Sequence, residues 1–327
     1  MQTIVTYHLE APGEQPPSAT LAPVLEQVRL ADALGYNAAW FAEHHFGGHR
    51  SVMPAPLLLA TYVAARTERL KVGTSVICLP LHHPVDIAEQ VAVADVLTGG
   101  RLSIGFGSGS AAADFKVFAS DQETRHRRFE EQLAIVTKCW SGRAFDYRGE
   151  FYQLDRVTCV PTPVQTAAEL TWLAASSEPT ARLAGQLGFG LQLPRGRPPA
   201  AYTPVVAAYR EEWRAAGHPN GGERVSIARC LYVGQDDAEA LETVAGATHK
   251  FAQRWSPSIA ADTSTAGLID RMHFCVGGPE TVVRGLMELR EHTNLTHLSI
   301  QPTWEDLPPA AACDSLRRFA ELVRPRL

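Results

Sequence analysis

Residues 70–110 read LKVGTSVICLPLHHPVDIAEQVAVADVLTGGRLSIGFGSGS, and their pattern decides the fold class. Residues 70–78 are an apolar, β-branched run that predicts a strand. After a loop over 79–84, residues 85–97 keep an apolar helix pattern that stops at the turn Gly99-Gly100-Arg101. A second strand is predicted over 102–106 and empties into a glycine-rich loop, 105–109. The helix between them has the length that a crossover between parallel strands requires. Glycine and small polar residues cluster after the C-terminal end of each strand, the edge at which α/β barrels and open α/β sheets place ligands.

The same alternation runs outward in both directions. Strands are predicted over 3–8, 38–42, 170–175, 190–193, 225–233 and 297–301. Helices are predicted over 21–34, 55–68, 127–140, 179–187, 204–216, 238–250, 280–291 and 311–323. Eight strands alternating with helices point to one (β/α)8 TIM-barrel domain spanning 1–327, an α/β fold with insertions. A doubly wound sheet would place a glycine-rich loop after the first strand, whereas residues 10–18, EAPGEQPPS, carry proline and a single glycine. Residues 142–169 interrupt the rhythm, and RAFDYRGEFYQLDRV within them predicts a β-hairpin turning at Arg148-Gly149. Residues 251–276 show no clean periodicity and are small and polar, as expected of a mobile lid.

Composition narrows the function classes. A chain of 327 residues with 45% hydrophobic and 20% charged residues has ample material for a large core. A net charge of −5 argues against nucleic acid or an anionic membrane as partner. The first residues lack the basic and apolar regions of a secretory leader, and no apolar run approaches about 18 residues. The six cysteines form no C-x-x-C pair, which suits reduced thiols and a cytoplasmic location. Helices 55–68 and 85–97 are apolar around most of their circumference, more than one barrel face needs, so a homodimer through both is expected.

Candidate chemistry sits at strand ends. Glu43-His44-His45 closes the strand over 38–42, and histidine there can act as a base or hold a substrate oxygen. The same side chains would also serve as ordinary loop hydrogen-bond partners. His44, His45, His49, His82 and His83 on one rim raise the question of a metal, but they lack helical ligand spacing and a cysteine pair, so none is expected. Gly73-Thr74-Ser75 ends the third strand and would let a flat ring approach the backbone. Gly107-Ser108-Gly109 can turn backbone N–H groups toward a phosphate or ring. Ser176-Ser177-Glu178-Pro179-Thr180 opens a helix, offering either a phosphate seat or a plain N-cap.

Taken together, EHHF (43–46), the block over 72–109, ADFKVF (113–118), LAASSEPTARLAGQLGFG (173–190) and VGGPETVVRGL (276–286) resemble the bacterial luciferase-like family of flavin-dependent monooxygenases. The blocks lie in the family's order and span nearly the whole chain. The resemblance implies a barrel enzyme that takes reduced FMN from a separate flavin reductase and uses dioxygen to hydroxylate, epoxidise or Baeyer–Villiger oxidise a small organic metabolite. By position it makes His44 the active-site base or donor, supported by Glu43 and His45, and places a non-proline cis peptide at Thr74–Ser75 against the ring. Gly107, Ser108 and Gly109 would approach ring and phosphate, and Ser176, Ser177 and Thr180 would hold the phosphate. Luciferases carry a reactive cysteine and a phosphate-binding arginine where this chain has Gly107 and Ser108; Arg125 or Arg127 is the expected replacement cation. Luciferases place tryptophans over the substrate where this chain reads LQLPRGRP, which favours a larger, polyketide-like or aromatic substrate over a long-chain aldehyde. A deazaflavin-dependent oxidoreductase of the same superfamily, or a flavin-binding subunit without catalysis, would share most of these features.

Overall fold

Parallel strands made mostly of apolar residues must be covered on both faces. In the computed structural model, which describes residues 1–10, 16–46, 51–255, 257–260 and 264–327, a closed barrel does this. Its strands are β1 (Gln2–Tyr7), β2 (Ala38–Phe41), β3 (Lys71–Thr74), β4 (Leu102–Gly107), β5 (Thr171–Ala174), β6 (Gly190–Leu193), β7 (Val225–Val233) and β8 (His297–Gln301). Each pairs in parallel with the next, and β8 returns to β1 with His297 opposite Gln2. Around it lie α1 (Pro17–Ala33), α2 (Pro56–Ala64), α3 (Pro84–Leu97), α4 (Arg125–Cys139), α5 (Glu178–Gln186), α6 (Thr203–Ala215), α7 (Asp237–Trp255), α8 (Pro279–Thr293) and α9 (Pro309–Arg318). Several of these open with proline in the first turn, where a missing N–H costs nothing.

Two tryptophans fill the N-terminal half of the barrel. Trp40 and Trp172 meet edge to face with centroids 5.1 Å apart. Glycine makes the room: a Cβ on Gly73 would lie 2.8 Å from the Trp40 ring, and one on Gly190 would lie 2.3 Å from the Trp172 ring. Both rings line a cavity of about 290 Å³ at the base, whereas the C-terminal mouth, where barrels place their ligands, holds a larger one of about 580 Å³.

The predicted strand over 70–78 is in fact two pieces, β3 and a short strand Ile77–Cys78 that pairs with the end of β4. The cis peptide lies at Ser75–Val76, one residue beyond the Thr74–Ser75 bond that the resemblance implied. The ladder explains the offset. Thr74 is locked to Gly105, its Oγ1 accepting from Gly105 N–H and donating to the Gly105 carbonyl, each at 3.0 Å. Ser75 N–H still donates to the Phe41 carbonyl at 2.8 Å, so regular pairing persists to that residue and breaks only after it.

Phe145–Arg148 and Gln153–Val157 form an antiparallel hairpin whose tip is the four residues after Arg148. Residues 251–276 carry more regular structure than their composition suggests: α7 runs on to Trp255, and helices Pro257–Ala260 and Thr265–Arg271 and a strand Cys275–Gly277 follow. Phe251 and Ala252 prolong the buried stripe of Ala240, Val244 and Ala247, which carries the helix past residue 250. His49, and residues 256 and 261–263 of the expected lid, lie outside the described residues.

Candidate active site

The strand ends surround a cavity of about 580 Å³. Thr6 of β1, Gln192 of β6, Ala228 of β7 and Gln301 of β8 face it from the barrel itself. One side is made after β3, β4 and β5 by Ser75, Val76, residues 107–110 and residues 174–176. That side has little side-chain bulk because it cannot hold any. A Cβ on Gly107 would lie 2.7 Å from Val76, and one on Gly109, at φ +75°, would lie 2.3 Å from Cys78 Sγ. The other side, from β7, β8 and β1, is formed by His8, Phe251, Met272 and Phe274, with Arg195 reaching across from the loop after β6.

Among the described residues, the side-chain oxygens of Gln192 and Gln301 in this cavity have no hydrogen-bond partner. Gln192 and Gln301 are 6% and 2% exposed, and their Nε2 groups donate to the carbonyls of Thr74 (3.4 Å) and Thr303 (3.0 Å). Their Oε1 atoms are buried and accept from no described residue. Buried carbonyl oxygens are nearly always satisfied, so both call for donors supplied by a ligand or by water.

A file of three side chains crosses the mouth. Arg195 Nη1 donates to His8 Nε2 at 3.0 Å, and His8 Nδ1 lies 3.0 Å from His44 Nε2. The two imidazoles stack with centroids 5.3 Å apart. Arginine only donates, so His8 Nε2 is the acceptor and neutral His8 carries its proton on Nδ1. That N–H then donates to His44 Nε2, which fixes the tautomer of His44 as well.

Behind this file Glu43 forms a buried node. Its Oε1 is 2.8 Å from His45 Nε2, His82 Nε2 lies within 3.1–3.2 Å of both oxygens, and Cys78 N–H donates to Oε2 at 3.3 Å. Burial pushes the Glu43 carboxyl up, but the hydrogen bonds from His45 and His82 outweigh it and hold the group below the ordinary range. The same hydrogen bond raises His45 above its usual value against the effect of burial. Burial pushes the nearby Cys78 thiol up, with Glu43 adding to it. Asp114, on a short helix Ala112–Val117, is also raised, by burial and by repulsion from Glu43.

Residues 1–293 match the family described as luciferase-like monooxygenase. The chain belongs to that family. An uncharacterized protein of Sinorhizobium fredii is 29% identical over 72% of this chain, and the match spans 66% of that protein's length. The oxygenase component of a flavin-dependent trigonelline monooxygenase from Acinetobacter baylyi is 26% identical over 71% of this chain and 65% of its own length. An F420-dependent glucose-6-phosphate dehydrogenase of Kineococcus radiotolerans is 30% identical over 65% of this chain and 64% of its own length. The monooxygenase RslO1 of Streptomyces bottropensis superposes with a TM-score of 0.89 at 24% identity, covering 99% of both chains. The oxygenating constituent of 3,6-diketocamphane monooxygenase from Pseudomonas putida, solved with FMN, gives a TM-score of 0.84 at 20% identity over 100% of this chain and 99% of that one. At these identities the two structures bear on the fold alone. The enzyme is thus a luciferase-like, flavin-dependent monooxygenase by family.

The candidate residues of this luciferase-like chain divide into two groups. Ser75, Gly107, Ser108, Gly109 and Ser176 line the cavity. Thr74 is fully buried beneath it, and Ser177 and Thr180 lie at the start of α5, where Ser177 is the N-cap without a side-chain cap bond. Arg125 opens α4 and donates to the Gln122 carbonyl at 2.9 Å. Gln122 in turn donates to the carbonyl of Ser110 on the rim, so the Arg125 guanidinium stands one residue back from the cavity. Arg197 is nearer the helix start, donating to the Ser176 carbonyl at 2.9 Å. Glu43, His44 and His45 do not line the cavity; His8 does, and it hands the position to His44. Sequence reading passed over His8 as the last residue of a strand and Arg195 as part of a departure from the luciferases. The usable signal was position: both lie within two residues of the C-terminal ends of barrel strands.

Proposed function

We propose that this chain is the oxygenase component of a two-component system, receiving reduced FMN from a separate reductase and using dioxygen to oxygenate an organic substrate by hydroxylation, epoxidation or Baeyer–Villiger chemistry. The observation that carries this reading is the bulk-free side of the cavity, facing two buried carbonyl oxygens that need donors. A flat ring with N–H groups suits both. Ser75, Val76 and residues 107–109 would take the ring. Ser176, Ser177 and Thr180 would take the phosphate at the positive end of α5, with Arg197 and Arg125 as the nearby cations. When bound, reduced FMN supplies the electrons that activate dioxygen. His8 and His44 hold and pass a proton at Nδ1 and Nε2, while Phe251, Met272 and Phe274 keep water from the reacting side. The described residues of the 251–276 lid supply that apolar cover, and the hairpin within 142–169 is an insertion in a single barrel domain.

The test is oxygen consumption by enzyme supplied with reduced FMN. Consumption coupled to oxygenated product is expected with at least one aromatic or polyketide-like substrate class, and peroxide release alone with every class would sink the proposal. A deazaflavin reading has its own support in the F420-dependent relative, and parallel titration with FMN and F420 separates the two. Free thiols at all six cysteines accord with a reducing, cytoplasmic setting.

A homodimer through α2 and α3 completes the reading. Leu58 (73% exposed), Tyr62, Val93, Val96 and Leu97 (69%) form an outward apolar face on these helices. Sedimentation should give a dimer at micromolar protein, and Leu58→Glu combined with Leu97→Glu should yield folded monomer. A monomeric wild type would refute it.

A further inference from the structure

The proposed ring and phosphate positions take the β3–β5 side of the mouth and leave the β7–β8–β1 side to the substrate. In a closed eight-stranded barrel β1 stands opposite β5, so His8 and Ser176 face each other across the opening. The substrate side has a distinct chemistry. Its wall is apolar and aromatic: Phe251 (5% exposed), Met272 (6%) and Phe274 (9%), with Trp255 and Ile259 beyond them. Its only full charges are cationic, Arg195 and Arg271, and no carboxylate lines the cavity among the described residues.

Both guanidiniums have donors to spare. Arg195 gives one N–H to His8 and lies over the Phe251 ring at 5.2 Å, which turns its fork along the aromatic wall. Arg271 ends the helix that carries Ile269 into the core, is itself exposed at the mouth, and makes no hydrogen bond or ion pair among the described residues. Glu10, the carboxylate within electrostatic reach of Arg195, is pushed up by its own burial, which weakens it as a counter-charge.

We infer that the substrate is an anion with a flat apolar body: an aromatic carboxylate, or the phenolate or enolate of a fused-ring compound, its ring on Phe251 and Phe274 and its charge on Arg195 and Arg271. This rests on the FMN reading only in assigning the opposite side of the mouth to the cofactor. Arg195 then does two things, binding the charge and holding His8 in the tautomer that carries its proton on Nδ1, toward His44.

Calorimetric titration of the intact chain, with and without saturating oxidised FMN, tests this with two probes of one shape, 2-naphthoate and 2-naphthalenemethanol. The carboxylate is expected to bind about tenfold more tightly than the alcohol at low salt, the ordinary gain from a charge-assisted pair. In Arg271→Gln, a surface substitution that leaves the fold intact, and in Arg195→Gln, the preference should fall to about twofold or less with FMN affinity unchanged. Equal affinity for the two probes in the wild type, or no binding of either, would overturn the inference. So would variants that lose FMN but keep the preference for naphthoate, since the arginines would then serve the cofactor phosphate. A chain that prefers naphthoate yet takes up no FMN would sink the cofactor reading and leave the anion site standing.

Discussion

With His8 replaced by alanine, turnover of the oxygenated substrate is expected to fall about a hundredfold, the usual worth of a positioned acid–base group. The reason is geometric. His8 lines the cavity, and its Nδ1 is 3.0 Å from His44 Nε2, so a proton leaving or reaching the substrate side passes His8 before His44. His44→Ala should cost a similar factor, because it removes the partner that exchanges that proton. The double variant separates two mechanisms. If the rings act as one relay, losing both costs about as much as losing either; if each acts alone, the losses multiply to roughly ten-thousandfold. Steady-state rates for the four proteins, with oxygen consumption and peroxide release measured together, decide the matter. A His8→Ala enzyme with wild-type turnover and coupling would remove His8 from the chemistry and return the role to His44.

How far the site was legible depended on how local its parts are. The barrel could be read because each βα unit announces itself over about forty residues, as residues 70–110 do, and closure follows once eight units are counted. Glycines at 107 and 109 could be read because they answer to neighbours on the adjoining strand turn: Val76 and Cys78 lie where a Cβ would go. The pairing of His8 with His44 and Arg195 could not. It joins residues 36 and 187 positions apart, and no periodicity or spacing encodes such a contact. Position alone hinted at it, since each of the three follows a strand end on the same rim. The misplacement of the cis bond has the same origin. Sequence marks where the strand becomes irregular to within a residue or two, but only the hydrogen bond from Ser75 N–H to Phe41 shows where pairing stops. Arg125 stood out as a cation near the right loop, yet its guanidinium is turned to the Gln122 carbonyl, a choice made by the start of α4.

Glu43 carries the second large effect, one on stability rather than rate. Its side chain is 1% exposed and is shared by His45 and His82, so Glu43→Ala leaves two imidazoles and the Cys78 N–H facing an empty space. Breaking a buried pair from one side costs about 3 kcal/mol, which in a domain of this size lowers Tm by roughly 4–5 °C. The pH dependence follows from the direction of each shift. Glu43 is held below the ordinary glutamate value of 4.5, so its contribution is complete above that pH and fades as acid drives the folded protein through the lowered value. His45 is held above the ordinary histidine value of 6.5, so its contribution is complete below that pH and fades as alkali carries the folded protein through the raised value. Both contributions are whole between 4.5 and 6.5 and decline on either side. Glu43→Gln keeps the shape and removes the charge, and its Tm deficit relative to wild type should peak inside that window and shrink toward pH 3 and pH 9. A deficit that stays flat across the range would show that Glu43 acts by filling space and not as the anion binding His45 and His82.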